Sequence, residues 1–539
     1  MGVGSLIAFQ GSNSSEYLVG MLDRVTRDLQ EEALLENPDD DGTVPLEARQ
    51  RDLLRVVLLG TYREVDGTRR NTFKRGADSY PLVESPCWVI DGTNLQNLMG
   101  LLTQQLDPEK QLQLGTFVAD SAATAVADGD RLFQRHAALL GSTGSGKSWS
   151  VALILERAKA LSFPNLIVFD MHGEYSPLTE GQEPIAQGFR IAGPGDSDSD
   201  SRSLYLPWWL LNQEEMQALL LDRSESNAPN QAARLTHHVR ELKLAQLEEA
   251  GRTEVAGRFT VDSPVPFSLI DLIARLEDDD TEMVPGARSE KAGPFNGRLT
   301  RFVARLKART EDRRYGFMFG PPDEAVGYDW LHGLAKDLLG TKQGIKIIDF
   351  SEVPSDVLPI VVGVLARLLY EVHFWTAKDK RTPITFVCDE AHLYLPASVA
   401  DIAEVRALDS FERIAKEGRK YGISLLVVSQ RPSDVSRTVL SQCNNFIALR
   451  LTNDQDQAVV KRLMPDSMEG IAAALPLLDV GEALVLGDAL VLPTRIRLDT
   501  PSIKPSSATK NFWTEWNESE VQDEDLVAAV EAMRMQSRP

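Results

Sequence analysis

Apolar residues arrive in two rhythms along this chain, and the change of rhythm marks its architecture. Up to about residue 118 the apolar runs are short and set between polar or glycine-bearing stretches, at 6–9, 17–22, 53–59, 87–90 and 112–118. That spacing predicts the strands of a small β-barrel or sandwich. An acidic stretch carrying Glu31, Glu32, Glu36, Asp39, Asp40 and Asp41 falls between the second and third runs. It reads as a solvated loop or helix face. From Ala119 onward, buried-type strands alternate with helical spacing. The run 137–140 precedes Val151, Leu153, Ile154 and Ala158, and 166–169 is the next strand.

Between 211 and 340 the period is helical throughout, with Met216, Leu219 and Leu220, then Leu235, Val239 and Leu242, then Leu269, Leu272, Ile273 and Leu276. Leu299, Phe302, Val303 and Leu306 continue it, while Arg298, Arg301, Arg305 and Lys307 form a basic stripe read mainly as a solvated face. Strand-like runs then resume at 345–351, 384–388, 423–429, 446–451, 483–486 and 494–498, with an apolar helix at 358–370. Strands alternating with helices predict an α/β core with a parallel sheet, into which the helical stretch is inserted. Beyond Thr500 the composition shifts to Pro, Ser and Lys and then to an acidic, helix-like end, a tail lying on another surface. The expected organisation is therefore 1–118 (β-barrel), 119–210 (first part of the core), 211–340 (helical insertion), 341–500 (second part of the core) and 501–539 (tail).

Length and composition fit that picture. A chain of 539 residues, 43% hydrophobic and 25% charged, is expected to form about two to four soluble domains. Cys87, Cys388 and Cys443 are too scattered for a metal site or a disulfide framework, which fits a reducing cytoplasm. No signal peptide is expected, and the most apolar window, 360–370, is interrupted by Arg367 and too short to span a bilayer. The net charge of −22 argues against non-specific coating of nucleic acid, but not against a confined channel lined by a few basic residues.

Candidate chemistry sits where strands end. GSTGSGKS, residues 141–148, follows an apolar strand and opens a helix, the setting of a P-loop. Its glycines let backbone N–H groups turn toward phosphate oxygens, Lys147 reaches the outer phosphates, and the Ser148 hydroxyl holds Mg²⁺. LIVFDMHGEY ends a strand in Asp170 followed by Glu174, candidates for metal, water or neighbour-subunit contacts, or else for a turn of solvated carboxylates. ITFVCDEAH has the Walker B pattern, in which Asp389 supports the metal and Glu390 orients or deprotonates the attacking water. ISLLVVSQRPS ends in Gln430, at the sensor position beside the γ-phosphate, and the preceding helix carries Arg413, Lys416, Arg419 and Lys420.

These motifs, together with RHAALLGSTGSGKS, IAKEGRKYGISLLVVSQRPSDVS and TVLSQCNNFIALRLTN, occur in the order found in the HerA-type hexameric ATPases of the HerA–FtsK group, which the chain resembles over about residues 131–455. The resemblance implies a RecA-like P-loop core, an amino-terminal HAS-type β-barrel, a helical-bundle insertion and a ring of six subunits. It also implies ATP- and Mg²⁺-dependent translocation of double-stranded DNA; no membrane partner is expected, since no anchor is visible in the sequence. ATP would be held by Gly141, Ser142, Thr143, Gly144, Ser145, Gly146, Lys147 and Ser148. Arg135, which matches the arginine before the P-loop strand of the family, is the first candidate for a finger reaching a neighbour's ATP, and Arg419 the second. The amino-terminal barrel is weakly matched, and no nuclease motif is evident. The resemblance therefore implies a separate partner, a NurA-type nuclease or a sirtuin-like or other effector, in DNA end processing or anti-phage defence. A scaffold that gates an effector with little translocation is the competing reading, and a conjugation or secretion ATPase a third.

Overall fold

A computed structural model describes residues 2–11, 13–33, 46–64, 71–82, 84–194, 202–340, 344–399, 402–464, 469–507, 510–518 and 522–536. It divides into two compact units: 1–157 with 429–433 and 443–502, and 158–428 with 434–442 and 503–539.

The first unit opens with an antiparallel sheet of β1 (Leu6–Gln10), β2 (Glu16–Ala33), β3 (Leu46–Arg63), β4 (Thr72–Arg75) and β5 (Cys87–Ile90), in the order β4-β3-β2-β1-β5. The strand expectation holds here. The ladder runs from β4 at one edge to β5 at the other, an open order among the described residues where the sequence suggested a barrel. β2 and β3 pair far beyond their apolar runs, from Glu16↔Arg63 to Ala33↔Leu46. Glu31 and Glu32 thus belong to a strand rather than a loop, while Glu36 and Asp39–Asp41 lie outside the described residues. The helix Gly92–Gln104 buries Leu95, Leu98, Met99 and Leu102, one stripe at helical spacing. β6 (Gln111–Phe117) forms a hairpin with β7 (Asp120–Asp128), and a short helix capped by Asp128 leads to β8 (Ala137–Leu140), buried at every residue.

The second unit carries the parallel sheet. β9 (Leu166–Asp170), β10 (Ala186–Ile191), β11 (Ser203–Leu204), β14 (Ile345–Asp349), β15 (Ile384–Cys388) and β16 (Ile423–Ser429) lie in the order β11-β10-β14-β9-β15-β16. Every ladder among them is parallel. β9, β15 and β16 are buried throughout, which is why they read as continuous apolar runs. Between β11 and β14 the chain is mainly helical (Gln213–Leu220, Ala228–Glu249, Leu269–Thr281, Thr300–Glu311 and Trp330–Leu339), with a small ladder of β12 (Met283–Val284) and β13 (Lys291–Ala292). Within its basic stripe Arg305 is engaged by Glu225 at 2.6 Å and Lys307 by Glu277.

The helix Leu358–Trp375 is longer than its most apolar window. With eighteen residues and a mean hydropathy of 1.4, it is long and apolar enough by composition to cross a membrane. Two thirds of it is buried inside the unit, so its apolarity belongs to the core. Arg367 is neutralised there by Glu215, at 2.6 Å and 2.8 Å. Gly363 lets the helix Ile402–Glu417 approach closely: a Cβ at 363 would lie 2.7 Å from Ala407 Cα.

The chain then returns to the first unit as β17 (Asn445–Ala448), β18 (Glu482–Gly487) and β19 (Thr494–Leu498), giving the order β8-β17-β18-β19-β6-β7. β17 runs parallel to β8, and the other neighbours are antiparallel. β6, grouped by its spacing with the amino-terminal strands, pairs instead with β7 and β19.

Candidate active site

The first unit builds a phosphate cradle at the carboxyl end of β8. Gly141 has no room for a side chain, since a Cβ there would lie 2.5 Å from Ser145 Oγ and 2.7 Å from Leu449 Cβ. Gly144 and Gly146 take left-handed φ values of 73° and 104°, the freedom that lets successive N–H groups turn inward. The loop is slung between strand ends: Gly141 N–H donates to Ser429 O at 3.2 Å, and Ser142 N–H to Arg450 O at 2.8 Å. The helix Lys147–Lys159 starts here, with Ser150 N–H and Oγ–H both donating to Gly146 O at 2.9 and 2.8 Å. Its positive end and the buried Lys147 create an anion site. Ser145 Oγ is buried without a hydrogen-bond partner in the protein, and its hydroxyl could donate to a phosphate oxygen. Gln430 belongs to the same site, because its Oε1 accepts from Thr143 Oγ at 2.6 Å.

The second unit gathers carboxylates at the carboxyl ends of β9, β14 and β15. Asp349 stands opposite Asp170 in the ladder, and Asp389 and Glu390 follow β15 directly. Asp389 is buried, and burial raises its pKa well above the usual carboxylate range, with the charges of Glu390, Asp170 and Glu174 adding to the rise. Such a group is ionised best beside a cation. Glu390 has a left-handed φ of 42°, a conformation costing a non-glycine residue about 1–3 kcal/mol and concentrated at functional sites. His392 Nδ1 lies 3.3 Å from its Oε2. Among the described residues no three His, Cys, Asp or Glu side chains form a ready-made metal cage. Mg²⁺ in nucleotide sites suits that arrangement, since it keeps waters and phosphate oxygens as most of its ligands.

Asp170 is busier than its position suggested. Its carboxylate accepts from the N–H groups of His172, Gly173 and Glu174, at 3.2, 2.9 and 3.1 Å, and from Tyr175 N–H at 2.9 Å. It therefore folds the turn that presents Glu174. Burial nonetheless pushes its pKa up to about 6.

Neither arginine candidate is among the residues that build the cradle. Arg135 precedes β8, at the strand end opposite the P-loop, and pairs with Asp488 of its own chain. Asp488 also receives Arg75 at 3.3 Å. Arg419 is exposed in the turn before β16. Sequence reasoning passed over Arg450, whose carbonyl holds Ser142 and whose Nε–H is buried without a partner. The signal was present: β17 pairs with β8 up to Ala448↔Leu140, which carries Arg450 alongside the P-loop.

A P-loop at the end of a buried strand, a strand ending in Asp-Glu and a polar sensor residue together define a P-loop ATPase core. Residues 112–369 match the family model described as helicase HerA, central domain, and residues 360–531 the one described as helicase HerA-like C-terminal. The chain belongs to the HerA family, and it is an ATP-hydrolysing enzyme. It is 27% identical over 398 residues to the DNA double-strand break repair helicase HerA of Sulfolobus acidocaldarius, covering 73% of this chain and 70% of the relative. The protein of that name from Pyrococcus furiosus is 25% identical over 474 residues, covering 82% and 78%. Among solved structures, VirB4 of Thermoanaerobacter pseudethanolicus aligns at 17% identity with a TM-score of 0.49, over 73% of this chain and 98% of that one.

Proposed function

We propose that this protein is a cytoplasmic, ATP-driven translocase of double-stranded DNA, assembled as a ring of six copies and working with a separate nuclease or other effector in DNA end processing or anti-phage defence. The observation that carries the reading is the match to both HerA family models across 112–531, over a P-loop already folded into a phosphate cradle. Relatives named as DNA double-strand break repair helicases support DNA as the track.

In this reading the cradle from Gly141 to Ser148 grips the phosphates through backbone N–H groups, and Lys147 neutralises the outer ones. Ser148 and Asp389 would hold Mg²⁺, which when bound draws phosphate oxygens together and offsets their charge. Glu390 aligns the attacking water and takes its proton. Gln430, tied to Thr143, senses whether the terminal phosphate is present. Arg135 or Arg419 reaches a neighbouring subunit's nucleotide, so that hydrolysis depends on assembly. The amino-terminal β-sheet module, as a HAS-type barrel, would dock the effector, and the segment 211–340 is the helical-bundle insertion.

The net charge of −22 favours a second reading, a ring that assembles and gates an effector with little translocation. Phosphate release with and without linear duplex DNA separates the two. Under the first reading duplex DNA stimulates turnover several-fold and the protein strips a triplex-forming strand from its track. DNA-independent turnover with no strand displacement would leave the scaffold reading standing.

A further inference from the structure

Tyr175 is fully buried, and its hydroxyl has no hydrogen-bond partner. That is unusual, because buried tyrosine hydroxyls are nearly always paired. The surroundings make it more unusual still. The ring is held through its own backbone, whose N–H donates to Asp170 at 2.9 Å. The phenol sits in the field of the carboxylate cluster: burial raises its pKa, and the charges of Asp389, Asp170, Glu174 and Glu390 raise it further, in that order. The fold puts it there: Asp170, which receives the Tyr175 N–H, follows Phe169 at the end of β9, and the β9–β15 ladder runs to Phe169↔Cys388, next to Asp389.

A second tyrosine shows the contrast. Tyr394 is equally buried and also lies in the field of Asp389, but its hydroxyl donates to the Asp389 carbonyl at 3.1 Å. Tyr394 is thus accounted for by the protein alone. Tyr175 is not. A phenol hydroxyl can donate or accept, and a metal-bound water is a donor small enough to be shared between the Tyr175 oxygen and a carboxylate.

We propose that Tyr175 is a positioning residue whose hydroxyl oxygen accepts a hydrogen bond from a water of the metal shell at Asp389, fixing that water and through it the carboxylate. The inference rests on the reading of Asp389 as the metal-supporting carboxylate. It explains why a tyrosine rather than a phenylalanine ends the turn that Asp170 folds. The turn leaves Glu174 half-buried and Tyr175 fully buried, so one backbone feature orders both groups.

The test uses the full chain, Mn²⁺ as the probe metal and a non-hydrolysable ATP analogue, with bound Mn²⁺ counted by electron paramagnetic resonance. Tyr175→Phe keeps the ring and removes only the hydroxyl, so the metal-free variant should melt at or slightly above the wild-type temperature. Its Kd for Mn²⁺ should rise about 5–10-fold, the scale of one lost hydrogen bond to a polar site, with metal-free nucleotide affinity unchanged. Unchanged Mn²⁺ affinity would overturn the proposal, as would a metal-free melting temperature several degrees lower, which would mean the hydroxyl has a partner in the protein. Asp389→Asn is measured alongside. If it loses Mn²⁺ affinity while Tyr175→Phe does not, the metal site stands and the tyrosine's role falls. If Asp389→Asn binds Mn²⁺ as wild type does, the metal-site reading itself fails and takes the proposal with it.

Discussion

Replacing Arg135 with alanine gives two sharply different outcomes, depending on which of two jobs the side chain does. In the folded chain its guanidinium is paired with Asp488, and the two side chains are 38% and 32% exposed. An ion pair that open to solvent is worth at most about 1 kcal/mol. Its loss should lower the melting temperature by no more than about 2–4 °C in a chain this large. The backbone at 135 is anchored independently, since its carbonyl accepts from Asn444 N–H at 3.0 Å, so truncation should leave β8 in place. An arginine supplied to a neighbour's nucleotide is worth far more, about 10³–10⁵ in turnover, or roughly 4–7 kcal/mol of barrier. The trans role therefore predicts a turnover collapse with almost no loss of stability. Asp488→Ala separates the roles further: it breaks the same ion pair but leaves the arginine free, so turnover should stay at or above wild type. The assay is steady-state phosphate release per chain at several protein concentrations, with ring assembly followed by native mass spectrometry. Rings mixed from Arg135→Ala and Glu390→Gln chains should regain some turnover, because an Arg135→Ala chain keeps its own Glu390 and can receive a finger from its neighbour. Arg135→Ala turnover within a few-fold of wild type, or a loss that Asp488→Ala reproduces, would refute the trans role and leave Arg419 as the remaining candidate.

Two further substitutions probe the chemistry and the core. Glu390→Gln keeps the side chain's shape and removes its basicity, so turnover should fall by about 10² or more with near-normal ATP affinity in a fluorescent-nucleotide titration; wild-type hydrolysis would remove Glu390 from water activation. Arg367→Met should cost about 3–5 kcal/mol in denaturant unfolding, because it strands the buried Glu215 carboxylate. Adding Glu215→Gln, which retains an acceptor for the Asn212 cap, should restore part of that loss, and a single-variant cost below about 1 kcal/mol would show that solvent reaches the pair.

How legible each part was in the sequence follows from how many constraints act on it at once. β9, β15 and β16 were readable because strands covered on both faces are nearly continuous apolar runs, interrupted within β15 and β16 by Thr385 and Ser424, which hydrogen-bond to each other. The P-loop was readable because Gly144 and Gly146 occupy backbone conformations that other residues avoid. The outer part of the β2–β3 ladder was not. It carries polar residues at positions where a buried strand would alternate, so its pairing to Ala33↔Leu46 leaves no hydrophobic trace. β6 was read as a strand, but its pairing with β7 and β19 was not legible, since periodicity reports that a strand exists and not which ladder it joins. The helix Leu358–Trp375 was read only to Tyr370, where its apolar window ends; Arg367, which interrupts that window, is an interior residue because Glu215, far away in sequence, pairs with it.

The same reasoning explains the uneven legibility of the site. Asp389 and Glu390 could be named because their chemistry requires two carboxylates at one strand's end. Asp170 could be noticed but not interpreted, because four N–H groups converging on one carboxylate is a property of a turn, and the sequence FDMHGEY does not say which way that turn closes. Arg450 was missed for a related reason. Its place beside the P-loop depends on β17 pairing with β8, a contact between segments far apart in the chain. An arginine at a strand's end has no meaning until its neighbour is known. Residues whose proposed role follows from their own chemistry could be named from the sequence, and residues placed by a long-range ladder only from the fold. The finger assignment is the least legible from sequence, because the neighbour proposed for it belongs to a second copy of the chain, and that is why Arg135 must be tested by mixing chains rather than by truncation alone.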